Sequence, residues 1–263
     1  MGVLTLTGRV AVVTGAAQGI GFHTAKMMYR NGMKVALVDL NKEKLQKAVG
    51  ELNTLKDSPN EGFTDAGAAE AAPFACDVSD EKAIEKTVQE IAARFGQIDV
   101  LVNGAGILSA TKIPDIQREE WDRVLGVNLG GTFFMVQKAL PFLKQSKHAR
   151  VINISSVAGR MGGMENSMSY AASKGGICAI TRGMARHLGP FHITVNAVCP
   201  GPTRTPIMDN YTEEAIRNLA AKNVLGRIGE PEDVAAGICY LASEEAGYVT
   251  GITLDINGGF WMG

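Results

Sequence analysis

Two residues with acid–base chemistry stand one helical turn apart. In Ser169-Tyr170-Ala171-Ala172-Ser173-Lys174 a phenol and an ammonium occupy positions i and i+4, which share a face if the segment is helical. A phenol in isolation titrates at about pH 10. A neighbouring cation favours the phenolate and draws that value toward working pH, which makes Tyr170 a candidate general acid/base. The spacing alone is common on amphipathic helices, so it needs a second observation.

That observation lies near the N-terminus. Thr14-Gly15-Ala16-Ala17-Gln18-Gly19-Ile20-Gly21 follows an apolar run and opens a helical period. Glycines permit a tight turn and let backbone approach a pyrophosphate, and a helix N-terminus offers free N–H groups to that anion. The spacing is GxxxGxG, which differs from the more familiar GxGxxG. Asp39 follows Gly21 by 18 residues, at the end of a second apolar run. A carboxylate there accepts hydrogen bonds from ribose hydroxyls and repels a 2′-phosphate. The glycine turn holds no Arg or Lys, and Gln18 sits where a cation would. The expected cofactor is therefore NAD(H) in preference to NADP(H).

These residues need elements to hold them. Short apolar runs alternate with helical periods along the chain. The runs are Arg9–Thr14, Lys34–Val38, Phe74–Cys76, Asp99–Val102, Arg150–Ser155, Ile193–Val198 and Ile252–Asp255. Between them, apolar residues recur at helical spacing. Gly19–Gly32 reads as one helix, and Glu119–Phe142 as a long one. Apolar strands separated by helices imply a parallel sheet buried on both faces, hence a doubly wound α/β fold of about seven strands. Composition is uniform, so residues 1–263 are expected to form a single domain. Residues 57–72, rich in Gly, Ala and acid, read as an exposed insertion.

Composition excludes several function classes. Lys and Arg number 26 against 27 Asp and Glu, which leaves no cationic excess for a nucleic-acid partner. No apolar run approaches the roughly 18 residues that span a bilayer. Met1–Thr7 lacks the pattern of a signal peptide. The widely spaced Cys76, Cys178, Cys199 and Cys239 form no metal cluster, and they read as reduced core thiols of a cytoplasmic protein. No metal is expected. Serine nucleophilic catalysis is disfavoured, because no His and acid partner stands in a recognisable constellation.

The full set of motifs resembles the short-chain dehydrogenase/reductase family in its single-domain branch. They are TGAAQGIG, VNGAG at Val102–Gly106, Asn128 in GVNLGG, Ser155-Ser156 in NISSVAG, Tyr170 to Lys174, and Pro200-Gly201, in that order. The resemblance covers essentially the whole chain and implies roles. Tyr170 would move the proton at the substrate oxygen, and Lys174 would tune Tyr170 and hold the nicotinamide ribose. Ser156, which precedes the Val157-Ala158-Gly159 turn, would hydrogen-bond the substrate oxygen. Asn128 would help position Lys174. Gly15, Gly19, Ile20 and Gly21 would meet the phosphates, with Gln18 beside them and Asp39 on the ribose. Asp77 and Val78 would flank the adenine; Asn103, Ala105 and Gly106 would border the adenosine half. Thr203 and Thr205, after Pro200 and Gly201, would fix the nicotinamide amide. One departure from the family pattern is Gly104, where a second Asn is frequent.

The substrate pocket is expected beside the nicotinamide, lined by Leu108, Met161, Gly162, Met164, Ile207 and Met208 together with Ser156 and Tyr170. Residues 202–225 are expected to form a lid. Its apolar residues, including Leu219, suit a hydrophobic secondary alcohol or ketone. Arg160 and Arg204 could meet an acidic substrate, or be ordinary surface charges. Family members are usually homotetramers. Ala171, Ala172, Gly175 and Gly176 would permit close helix approach at an interface, and the tail Phe260-Trp261-Met262 would bury in a neighbouring subunit. Two rival readings stand beside NAD(H)-dependent alcohol–ketone interconversion. One is 3-oxoacyl-carrier-protein reduction, which usually uses NADPH. The other is a catalytically silent NAD-binding sensor or scaffold, for which an intact Asn128, Ser156, Tyr170 and Lys174 would be superfluous.

Overall fold

In the computed structural model, which describes residues 4–55, 69–163, 168–209 and 211–263, each apolar run becomes a strand of one parallel sheet. The strands are β1 (Val10–Thr14), β2 (Lys34–Asp39), β3 (Glu70–Ala75), β4 (Val100–Asn103), β5 (Arg150–Ile154), β6 (Thr194–Pro200) and β7 (Thr253–Ile256). Their spatial order is β3-β2-β1-β4-β5-β6-β7, so the winding reverses between β1 and β4. The doubly wound expectation is borne out.

Nine helices cover the described residues: α1 (Gly19–Arg30), α2 (Lys42–Leu55), α3 (Glu81–Phe95), α4 (Arg118–Leu125), α5 (Gly131–Leu143), the single-turn α6 (Ala158–Met161), α7 (Met168–Leu188), α8 (Glu213–Lys222) and α9 (Pro231–Ala242). Local chemistry sets several ends. The Asp80 carboxylate accepts hydrogen bonds from the Lys82 and Ala83 N–H groups and starts α3; Gly96, at φ 81°, ends it. Pro231 opens α9 inside a Glu230/Asp233 capping box.

Strand side chains alternate between two cores. Ala11 and Val13 face α1, α2 and α9 through Phe22, Leu45, Leu52 and Ile238. Val10 and Val12 face α3, α5 and α7 through Ile84, Val88, Met135 and Leu188. Each fully buried aliphatic side chain contributes roughly 1.5–3 kcal/mol relative to exposure. Double-sided burial is why the inner strands lack polar alternation.

Three expectations are corrected. The third strand begins at Glu70, earlier than Phe74, because each residue from Glu70 to Ala75 pairs with β2. Of the expected insertion, residues 57–68 lie outside the described residues, while Glu70–Ala72 belong to β3. The long helix expected over Glu119–Phe142 is two helices joined by a wide turn, Gly126–Gly130, of π type. Glycines at both ends of that turn lower the helix-forming tendency there.

Candidate active site

At the reversal between β1 and β4, two strand-end turns touch. Thr14 Oγ1 accepts hydrogen bonds from Gly104 N (3.0 Å) and Ala105 N (3.1 Å). A Cβ on Gly15 would stand 2.8 Å from Gly104 O, and one on Gly21 would overlap the Gly15 carbonyl. Gly104 is equally tight, with Thr14 O at 2.8 Å, so the Asn frequent in similar chains has no room on this backbone. Such a crevice at the strand ends is where open α/β sheets take ligands.

The groups around it suit a dinucleotide. The Gln18 side chain does not cap α1, and the first turn of α1 holds no acidic residue, so no carboxylate of that turn opposes its N–H groups and positive dipole end. Asp39, at the end of β2, accepts from Ala17 N (3.2 Å) and Asn41 N (3.0 Å) and keeps acceptor capacity for hydroxyls. Gln18 Oε1 accepts from Lys44 Nζ at 2.7 Å, which brings a cation close to the ribose end. Asp77 is held by Ser79 N and Oγ.

A cleft of about 840 Å³ runs from this crevice across the strand ends. Gly15, Gln18, Gly19, Ile20 and Gly21 line it, as do Asp39, Asp77, Val78, Ala105 and Gly106. Pro200, Gly201, Thr203 and Thr205 line it further along. Asn103 does not: its side chain turns inward, with Nδ2 donating to Asn153 Oδ1 at 2.9 Å in a buried chain that continues to Thr181. That role joins β4, β5 and α7.

Tyr170 and Lys174 lie one turn apart on α7 and both line the cleft. Lys174 Nζ is 5.7 Å from the centre of the Tyr170 ring and donates to Ile154 O at 2.9 Å. α7 is clamped against the turn after β5, for a Cβ on Gly159 would stand 2.5 Å from the Lys174 carbonyl carbon. The two serines of that turn divide. Ser155 is buried and donates from Oγ to Lys174 O at 2.7 Å. Ser156 hydrogen-bonds the Tyr170 phenol. Beneath them, the Cys178 and Cys199 thiols lie 3.8 Å apart, and all four cysteines are free and buried.

Burial dominates the electrostatics. It raises the Tyr170 phenol above its ordinary value, and the Ser156 hydrogen bond only partly opposes it. Burial also lowers the Lys174 ammonium to about 8. The drop in phenol pKa expected from the lysine is therefore corrected: desolvation outweighs an ammonium that is itself buried and spent on a carbonyl.

Asn128 is fully buried in the wide turn, behind the cleft. Its Oδ1 accepts from Ile107 N (2.8 Å), and its Nδ2 donates to Ile107 O and Ser173 Oγ, each at 3.0 Å. A Cβ on Gly106 would lie 3.2 Å from Asn128 Oδ1 and 3.5 Å from Lys174 Nζ, so all three groups meet at one point.

Beyond Tyr170 the wall changes character. Leu108, Met161, Gly162, Ile207 and Met208 line it as expected, while Met164 lies outside the described residues. Within 202–225, α8 has no fully buried side chain. Its residues Ala215, Asn218, Leu219 and Lys222 face the cleft. Sequence reading named only Leu219 among these, although the 3–4 spacing that joins them was visible. Arg123, Val127 and Phe260 also line the cleft and were missed. Arg160 and Arg204 do not; they pair with Asp255 (3.2 Å) and Glu230 (3.3 Å).

Several of the expected interface residues make contacts within the chain, while Ala172 is exposed. Phe260 lines the cleft, and Trp261 lies beneath the Arg160 guanidinium at 4.4 Å, leaving Met262 exposed. Gly175 packs toward Gly159 O, and Gly176 leaves room only for Leu129. Among the described residues, no helix is long and apolar enough to cross a membrane.

Known proteins align with nearly all of this chain. A family model described as enoyl-(acyl carrier protein) reductase matches residues 15–261. The 3-oxoacyl-[acyl-carrier-protein] reductase FabG of Thermotoga maritima is 37% identical over 97% of this chain and 99% of its own. The short-chain reductase protein NovJ of Streptomyces niveus is 38% identical over 95% and 93%. A crystal structure of a dehydrogenase/reductase from Sinorhizobium meliloti 1021 superposes with a TM-score of 0.89 at 32% identity, covering 98% of this chain and 97% of the other.

Proposed function

The chain belongs to the short-chain dehydrogenase/reductase family of oxidoreductases, and from that premise we propose that it interconverts a secondary alcohol and a ketone with NAD(H). The observation that carries this reading is one cleft with two chemistries. Ser156, Tyr170 and Lys174 converge at one end, and Asp39 stands beside an uncapped helix N-terminus at the other.

Gly15, Gly19, Ile20 and Gly21 would hold the phosphates, Asp39 the adenosine ribose, and Asp77 and Val78 the adenine. Thr203 and Thr205 would hold the carboxamide. A bound nicotinamide supplies the hydride acceptor or donor. Tyr170 Oη gives its proton to the ketone oxygen and becomes the phenolate; in the reverse direction the phenolate takes the proton from the carbinol oxygen. Ser156 Oγ donates a hydrogen bond to that same oxygen and fixes its distance from the phenol. Lys174, positive below about pH 8, stabilises the phenolate as the proton leaves. Asn128 is a positioning residue: it ties the loop after β4 to α7 through Ile107 and Ser173.

The test is reduction of NAD, with NADP in parallel, by a panel of hydroxy acids, steroids, polyols and cyclic alcohols. Tyr170→Phe should lower turnover about a thousandfold and leave NADH binding intact. Retained turnover would remove Tyr170 as the acid/base, and NADP-dependent turnover would remove the assigned role of Asp39.

A second reading is reduction of a 3-oxoacyl thioester with NADPH. The Thermotoga maritima relative favours it, and so does the Lys44 ammonium beside Gln18. A 3-oxoacyl thioester assayed with both reduced cofactors separates the two. We also propose a cytoplasmic homotetramer, for which light scattering gives the mass.

A further inference from the structure

The charges lining the cleft are unevenly placed. Its carboxylates are Asp39, which ends β2, and Asp77, which follows β3, both at the end assigned to the adenosine. Its cations are Arg123 on α4, Lys174 on α7 and Lys222 on α8. Lys174 is committed to Ile154 O, whereas neither Arg123 nor Lys222 pairs with a carboxylate among the described residues.

The course of α8 fixes where Lys222 stands. The segment before it begins over the glycine turn, since a Cβ on Gly19 would meet the Thr205 side chain at 3.5 Å. Met208 N donates to Thr205 O, and Tyr211 N to Met208 O, which carries the chain into α8. After α8, Leu225 N donates to Gly258 O at 3.1 Å, just past the edge strand β7. α8 therefore runs from the cofactor side toward the β7 edge. Along its inner face the order is Ala215, then Asn218 and Leu219, then Lys222, so the side chains progress from apolar to cationic. Phe260, after β7, lines the same end.

We propose that the substrate has an apolar body and an anionic group remote from its carbinol, and that Lys222, with Asn218 one turn before it, binds that group. The placement of the carbinol at Tyr170 rests on the oxidoreductase reading. An exposed ammonium contributes modestly, and a substrate that covers it raises its share, so the expected preference is about fivefold.

Calorimetric titration of the whole protein tests this with paired probes: octanoate against octanol, and octanoyl-CoA against the neutral octanoyl-N-acetylcysteamine thioester. The proposal expects one charged probe to bind about fivefold tighter than its neutral partner at low salt. Preference within the first pair names a carboxylate, and within the second a phosphate. Lys222→Gln should erase the preference and Lys222→Arg should retain most of it. Equal binding in both pairs overturns the proposal. So does a preference that survives Lys222→Gln and falls with Arg123→Gln. The alcohol panel separates the two readings. A Lys222-dependent preference without any turnover would sink the oxidoreductase reading and leave the anion site standing; turnover without the preference would do the reverse.

Discussion

At Gly15 and Gly21 of the glycine turn the packing is backbone against backbone, so close that a methyl group has no room. At α8 the walls are side chains on a helix with nothing fully buried. The first wall can present one shape only, which suits a ligand of fixed chemistry. The second can shift at small energetic cost, because few buried contacts hold it, and such segments are the ones that close over ligands.

The largest effect should come from the rigid half. In the folded chain burial lowers Lys174 from 10.5 to about 8, while the unfolded chain keeps the ordinary value. Between those two pH values the unfolded state binds more protons, so stability rises with pH. Below pH 8 the burial penalty is present in full. Against Lys174→Met, urea denaturation should show the parent gaining roughly 3 kcal/mol from pH 8 to 10.5. A constant gap would mean that the ammonium is solvated and the wall looser than described.

Next in size is Gly21→Ala, whose new methyl overlaps the Gly15 carbonyl. The backbone must move, at about 2 kcal/mol, read from the urea midpoint. An unchanged midpoint would erase the contrast between the halves. Smallest is Leu219→Ala on α8. Stability should change by less than about 0.5 kcal/mol, while KM for an apolar substrate rises. A large loss of stability there would show α8 to be a fixed wall.

This contrast also explains what could be read from the chain itself. The glycine turn, Asp39 and the Tyr170–Lys174 pair are set by local spacing, Ser156 follows from the family resemblance, and one cleft gathers them all. The wide turn at Asn128 was not legible, because a π turn preserves the apolar periodicity on either side of it. The inward turn of the Asn103 side chain was not legible, because its partner, Asn153, lies 50 residues away on β5. The pKa of Tyr170 was misjudged because burial is a property of the assembled fold. On α8, Asn218 and Lys222 carry no motif, and only the placement of the helix gives them meaning.

The wide turn has a consequence for how this chain tolerates length changes. A π turn holds one residue more than an α-helical path of the same hydrogen-bonding needs. Removing a single residue such as Leu129 would let α4 and α5 fuse into one regular helix. The five residues of the wide turn and four of a regular helix advance by nearly the same angle, so α4 and α5 would keep their facing while the residues of the turn itself shifted. Gly131 would stay beneath Val78, and the change would fall on Asn128 and its hydrogen bonds to Ile107 and Ser173. Insertions and deletions are ordinarily absorbed by loops; here a single codon lost inside a helix would leave both flanking helices in place and uncouple the loop after β4 from α7.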